Sequence, residues 1–571
     1  MTLYRQAATL SSLFLWASIS FAQSKQPVSP FAYQSVKDQV CNKAAVVSAH
    51  PLASAAGLSV LQQGGNAVDA AIATQWALAV VFPVAGNIGG GGFMVAHLAN
   101  GNTLAIDYRE MAPAAATENM YIDPKTGKAN TRLSQTGHLA AGVPGTPAGL
   151  FACHKYAKLP MAKLLAPAIA LAQKGFTITE REASGLNGSK AAFEKSNTTL
   201  PVFVRNDRPW QAGDTLIQTD LANTLKRISA QGAKGFYQGE TARLLVNEME
   251  RGAGIITLAD LKNYKVKTRT ATTFNYKGHQ IISMPPPSSG GILLQQMLGM
   301  LENRPLPQYG YGTVKSVQLI TEVERRAYAD RAEHLGDPDF YPVPIKQLVS
   351  PTYLAQRMAN YDSTTAGKSS NIAAGLPAES SQTTHLSVVD AQGNAVSVTT
   401  TLNGSYGCKT VVAGAGFLLN NEMDDFSVQP GVANMYGALG GKANAIAPGK
   451  RMLSSMTPTI VLKNNKPFMV VGTPGGTTII TSVLQSIVNV IDFGLSAHHA
   501  VNKPKFHHQW QPDEILVEKA FPQNLRAQLT AMGYTLKEVN AIGRTELILV
   551  MPNGKLDAVA DGRGDDSVAG Y

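Results

Sequence analysis

The chain is poor in cysteine. Only Cys41, Cys153 and Cys408 occur in 571 residues, an odd number that allows at most one disulfide and excludes a heavily bridged scaffold. None of the three has a metal-ligand spacing, and the histidines, His385 and His507-His508 included, form no zinc-type pattern, so no motif requires a metal or a cofactor. Long apolar runs are also missing. Beyond the N-terminal stretch, no segment approaches the roughly 20 apolar residues that a membrane span needs. No Pro/Ser-rich linker, low-complexity tract or short-period repeat divides the chain, which therefore reads as one continuous unit. The formal charge is +10, yet Lys and Arg are scattered, without the basic runs and interleaved aromatics of a nucleic-acid binder. Such a charge suits the steering of a small acidic substrate.

What is present is a globular composition, 44% hydrophobic and 15% charged, sufficient for a large core. Arg5 precedes an apolar stretch from Ala7 to Ala22 ending Ser20-Phe21-Ala22, which predicts a secretory signal peptide over residues 1–22. The mature protein is therefore expected in the periplasm or outside the cell, with no membrane span after signal removal. Periodicity predicts helices over Ala53–Gln62, Val68–Val81, Leu164–Gln173, Leu216–Ser229, Ser316–Leu335 and Thr478–Val490. It predicts strands over Leu386–Val389 and Ala395–Thr399, joined by the turn Asp390–Asn394, and a further strand pair around Asn464-Asn465. Periodicity alone supports only helix mixed with sheet.

Thr383, in Gln382-Thr383-Thr384-His385, stands where a helical region gives way to this β pattern. By itself it could open an ordinary strand, a place that suits a β-branched residue. A threonine hydroxyl is a weak nucleophile unless a base lies beside it, and an N-terminal threonine carries that base in its own α-amine. Cleavage between Gln382 and Thr383 would put nucleophile and base on one residue.

The surrounding motifs favour cleavage. Upstream lie Asn87–Phe93 (Asn-Ile-Gly-Gly-Gly-Gly-Phe), Asp107-Tyr108-Arg109-Glu110 and Met284–Gly291; downstream lie Thr401-Leu402-Asn403, Leu418–Phe426, Leu453–Thr459 and Gly472–Gly476. In this order they resemble the γ-glutamyltransferases, or glutathione hydrolases, over residues 43–571. The resemblance implies a four-layer αββα sandwich of the N-terminal nucleophile hydrolase type, α/β in class. Two chains would build it after self-cleavage, a large subunit of residues 23–382 and a small subunit of residues 383–571. It further implies that Thr401 supports the Thr383 hydroxyl and that the Gly475 and Gly476 amides form the oxyanion hole. Arg109, Ser454 and Ser455 match positions that grip the α-carboxylate of a γ-glutamyl group. Asn403, Glu422 and Asp425 match those that hold its ammonium, the Glu422 position being Gln in many bacterial members. Residues 430–441 resemble a lid that closes Tyr436 onto Asn403. The implied partners are glutathione and other γ-glutamyl compounds, with amino acids or dipeptides as acceptors.

Two alternatives stay open. A β-lactam side-chain acylase shares the nucleophile but needs no ammonium site, and a secreted binding protein could carry a dead centre. Glu422 with Asp425 weighs against the first, and the intact set of Thr383, Thr401, Gly475 and Gly476 against the second. The run Gly89–Gly92 lacks the Gly-Lys-Ser/Thr ending of a phosphate loop, so it is expected to serve close backbone packing.

Overall fold

A computed structural model describes residues 28–372, 382–429 and 441–571. Its centre is a pair of seven-stranded antiparallel sheets. One runs in the order Ser567–Gly570, Ala45–Ser48, Gln382–Val389, Ala395–Asn403, Gly91–His97, Thr103–Asp107, Lys267–Arg269. The other runs Asp38–Cys41, Leu556–Ala560, Glu546–Val550, Lys466–Gly472, Thr459–Lys463, His279–Ser283, Thr272–Tyr276.

Alternation along the strands assigns their side chains to layers, because successive residues point to opposite faces. Ala45, Val47, Phe93 and Val95 of the first sheet meet Ile282, Ile460, Val470 and Ile548 of the second in one inter-sheet core. Val46, Met94, Val396 and Val398 face the other way and pack against Trp76, Val80 and their helical neighbours. On the far side, Val461, Met469, Val471 and Leu547 pack with Leu293, Val323 and Leu484. Helices Pro51–Gln62 and Ala67–Val81 thus cover one face, and Gly290–Leu301, Val314–His334 and Thr478–Ile491 the other. The layer order is αββα, as the resemblance implies.

Local chemistry fixes the hairpin that carries Thr383. In its turn, Asp390 Oδ1 accepts the amides of Gln392 and Asn394 at 2.9 and 3.0 Å, while Gly393 adopts φ 84°. Asp390 Oδ2 accepts the Ala67 amide at 2.8 Å, which docks the turn on the N-terminus of Ala67–Val81. That helix is capped in turn by Asn66, whose side chain accepts from Val68 and Asp69. At Asn464 and Asn465, φ values of 52° and 59° make the tight two-residue turn between the Thr459–Lys463 and Lys466–Gly472 strands.

The helix expected over Leu216–Ser229 begins later, at Thr219. Thr215-Leu216 forms a short strand with Phe176-Thr177 instead, and Leu216 is buried in the first helical layer. Cys41, Cys153 and Cys408 are all buried, and no two of them form a disulfide. Among the described residues no helix is long and apolar enough to cross a membrane, and no three His, Cys, Asp or Glu side chains cluster as metal ligands. The expected signal peptide and the expected lid with Tyr436 lie outside the described residues.

Candidate active site

Thr383 pairs across the ladder with Thr401, one residue into the strand, and a register shift separates it from Gln382, which pairs with Asn403. Thr383 is 6% exposed and lines a small cavity together with Arg109, Thr401, Asn403, Glu422, Asp425, Ser454, Ser455 and Gly476. Segments more than 300 residues apart in sequence thus converge on one hydroxyl.

The glycine run explains how the strand of Thr401 is held. Asn87 Nδ2 donates to the Thr401 carbonyl at 2.8 Å and to Thr400 Oγ1 at 3.2 Å, and Asn87 Oδ1 accepts from Gly90 N and Thr146 Oγ1. A Cβ on Gly90 would stand 2.1 Å from the Thr401 carbonyl oxygen, and one on Gly89 equally close to that of Leu418. Glycine here permits backbone contact, as expected for this run. Beyond Thr401, Asn403 turns the chain with φ 68°, its amide donates to Thr401 Oγ1 at 2.8 Å, and its Nδ2 donates to the Asn421 carbonyl at 2.9 Å.

Gly475 and Gly476 precede the helix Thr478–Ile491 and adopt φ values of 136° and 62°. Their carbonyls accept the amides of Thr478 and Ile479, while their own N–H groups donate to no described group. A Cβ on Gly475 would lie 2.4 Å from Thr478 Oγ1. Two amides at the positive end of a helix form a natural seat for a developing oxyanion.

The charges of the pocket are concentrated on Arg109, which is fully buried. Its guanidinium pairs with Glu422 and donates to Asp425 at 2.6 Å, and it reaches the carbonyls of Met452 and Leu453 at 3.3 and 3.1 Å. Glu110 is more distant, at 3.5 Å. Asp107 holds the Arg109 backbone amide at 3.0 Å and is itself bridged by Arg269 and Arg451. Burial, with the Glu422 carboxylate nearby, pushes the Glu110 carboxyl well above the usual carboxylate range, favouring its neutral form. Among the described residues, the Arg109 guanidinium then faces the two carboxylates of Glu422 and Asp425, a local excess of negative charge. The resemblance names neither Glu110 nor Asn87. Both stand inside quoted motifs, and only burial and geometry reveal what they touch.

A larger cavity of about 570 Å³ meets Thr383 and Gly475 from the other side. Its walls include Phe82, Val84, Phe176 and Tyr406, with Arg181 at its edge. His385, two residues from Thr383, points into the core, where it meets Thr399 Oγ1 at 2.9 Å and Ser387 Oγ at 3.2 Å. Burial lowers its pKa to about 3, so it is a neutral packing residue.

The family model for gamma-glutamyltranspeptidase matches residues 53–571. This chain belongs to the gamma-glutamyltranspeptidase family. The glutathione hydrolase proenzyme of Escherichia coli (strain K12) is 46% identical over 562 residues, covering 96% of this chain and 97% of that one. The corresponding proenzyme of Pseudomonas sp. (strain A14) is 48% identical over 476 residues, 83% of each. Among solved structures, a cephalosporin acylase from Bacillus halodurans superposes with a TM-score of 0.82 at 26% identity, covering 97% of this chain and 99% of that chain. The gamma-glutamyltranspeptidase αββα frame is thus shared with an acylase, whereas the higher identities belong to glutathione hydrolases.

Proposed function

We propose that this chain is a self-processing glutathione hydrolase that moves γ-glutamyl groups through an ester on Thr383. The observation that carries the reading is the placement of Arg109, Glu422 and Asp425 in the cavity of Thr383. An amino acid head brings one carboxylate and one ammonium, and this cavity offers a buried guanidinium fork and two carboxylates. An acylase acting on a side chain without an amine has no use for that surplus of negative charge.

In the proposed reaction the Thr383 amine takes the hydroxyl proton as Oγ attacks the γ-carbonyl carbon. The carbonyl oxygen becomes an oxyanion facing the Gly475 and Gly476 amides. Collapse breaks the C–N bond, and the departing amine leaves with the proton held by the Thr383 ammonium. Cysteinylglycine departs through the larger cavity, which touches the same hydroxyl. Water or an acceptor amine then attacks the γ-glutamyl ester in the reverse sense. Thr401 supports the hydroxyl, Ser454 and Ser455 assist Arg109 with the carboxylate, and Asn403 assists with the ammonium.

Processing at Gln382-Thr383 creates the amine and leaves a large and a small subunit as a heterodimer. The N-terminal segment directs the precursor to the periplasm or beyond. The test is release of cysteinylglycine from glutathione by the purified protein, with and without a dipeptide acceptor. Turnover of glutathione supports the reading, and inertness toward glutathione with turnover of glutaryl amides overturns it.

A further inference from the structure

The motif Met284–Gly291 marks the family resemblance but has no role in the chemistry above. Its structural partner is the serine pair. Ser289 N and Ser289 Oγ both donate to the Ser454 carbonyl, at 2.7 and 2.8 Å, and Ser454 N donates to the Pro287 carbonyl at 2.9 Å. Behind this junction lies Arg331, near the end of helix Val314–His334 and only 3% exposed. Its Nε donates to Ser289 Oγ at 2.8 Å and its Nη2 to Ser455 Oγ at 3.1 Å.

A hydroxyl has one proton to give and two lone pairs, whereas a guanidinium can only donate. The contact with Arg331 therefore occupies an acceptor site of Ser455, and the Ser455 proton is directed elsewhere. No described group accepts it. Ser454 is in the same condition, because its Oγ accepts the Met456 amide at 3.2 Å. Both hydroxyls line the cavity of Thr383 and Arg109, so both present protons to it. Ser289 completes the arrangement by accepting from Arg331 and donating to Ser454.

We propose that Arg331 is a positioning residue for carboxylate recognition: it fixes Ser455 as a hydrogen-bond donor and, through Ser289, clamps the serine pair against the pocket. This inference rests on the γ-glutamyl reading above and assigns to that site a buried cation which need not touch the substrate. A charge-assisted contact on the far side of the hydroxyl also polarises the O–H toward an incoming anion.

The test compares, on the processed enzyme, three anilide donors that share the same spacer between the scissile carbonyl and the carbon bearing the head groups. γ-Glutamyl has both carboxylate and amine, glutaryl has only the carboxylate, and 4-aminobutyryl has only the amine. Arg331→Gln should lower kcat/KM for the two carboxylate-bearing donors by about tenfold or more, mainly through KM, with the 4-aminobutyryl donor changed less than about threefold. Arg331→Lys, which restores a charged donor, should recover part of the loss. Ser455→Ala should add little on top of Arg331→Gln, because the two act as one unit. Parallel losses on all three donors, or additive effects of Arg331→Gln and Ser455→Ala, would show a merely structural role. If Arg331→Gln fails to process, Ser289→Ala on the same donors decides, with the same carboxylate-selective loss expected and a uniform or absent loss overturning the proposal. Failure of the γ-glutamyl reading itself would be distinct, since the parent enzyme would then prefer the glutaryl donor before any substitution.

Discussion

Arg109 and Asp425 lie 2.6 Å apart and form a buried ion pair. On the proposed reading, a γ-glutamyl head would exchange this internal pair for two intermolecular ones, its carboxylate taking the guanidinium and its ammonium taking the carboxylate. Such an exchange would leave neither charge of the head isolated in the buried site, which avoids the cost of an unpaired buried ion.

The exchange makes the shape of the cation decisive. Arg109→Lys retains the charge but loses the planar fork that serves two partners at once. We expect kcat/KM for γ-glutamyl donors to fall at least tenfold, about 1.4 kcal/mol, with self-cleavage preserved. Unchanged donor kinetics with impaired cleavage would make Arg109 a structural residue.

Asp425→Asn removes the anion and keeps the shape. Breaking one side of a desolvated charge pair costs on the order of 2–5 kcal/mol, so turnover of the γ-glutamyl anilide should drop steeply. The glutaryl anilide, which lacks the amine, should lose little or gain. Equal losses on both donors would place Asp425 in the support of the fold or the nucleophile.

Thr383→Ala should remain a single chain after signal removal, while the parent yields a small fragment whose Edman sequence begins Thr383-Thr384-His385. Any other N-terminus on that fragment contradicts the proposed processing site.

Stability should weaken in mild acid. His385, His507 and His508 are fully buried, and desolvation lowers their pKa values from 6.5 to about 3, about 3 and about 4. Below pH 6.5 the unfolded chain binds protons that the folded one refuses. The stabilisation is therefore complete above pH 6.5 and declines as pH falls toward 4, by up to about 1.4 kcal/mol per pH unit for each histidine. Thermal midpoints measured from pH 7.5 to 5 should fall, and His507→Gln should reduce the slope by about a third. A flat profile in the parent would contradict the assignment of these residues as buried and neutral.

The helices were legible from their apolar periodicity, as over Val68–Val81 and Ser316–Leu335, which form Ala67–Val81 and Val314–His334. The layers were not. Gly91–His97 is buried along its whole length, so its inward and outward faces leave no polar alternation in the sequence, and the alternation of Ala395–Asn403, equally buried, does not say which strands it joins. Nor can local pattern pair Leu386 with Ser48 across more than 300 residues. The residues around Thr383 could be named in advance because they sit in short motifs whose order is itself a signature. Their electrical state could not, because the neutrality of Glu110 and the pairing of Arg109 follow from burial. Arg331 was hidden for a related reason, as one arginine within a long helix.

The strand order carries a further consequence for assembly. In each central sheet, strands from either side of residue 383 are hydrogen-bonded to one another: Gln382–Val389 lies between Ala45–Ser48 and Ala395–Asn403, and Thr459–Lys463 lies beside His279–Ser283. Neither half could satisfy its own ladder, and each would expose raw strand edges if made alone. Folding must therefore come before the cut. The two products are woven together at birth, and halves expressed from separate genes would be expected to aggregate sooner than to find one another.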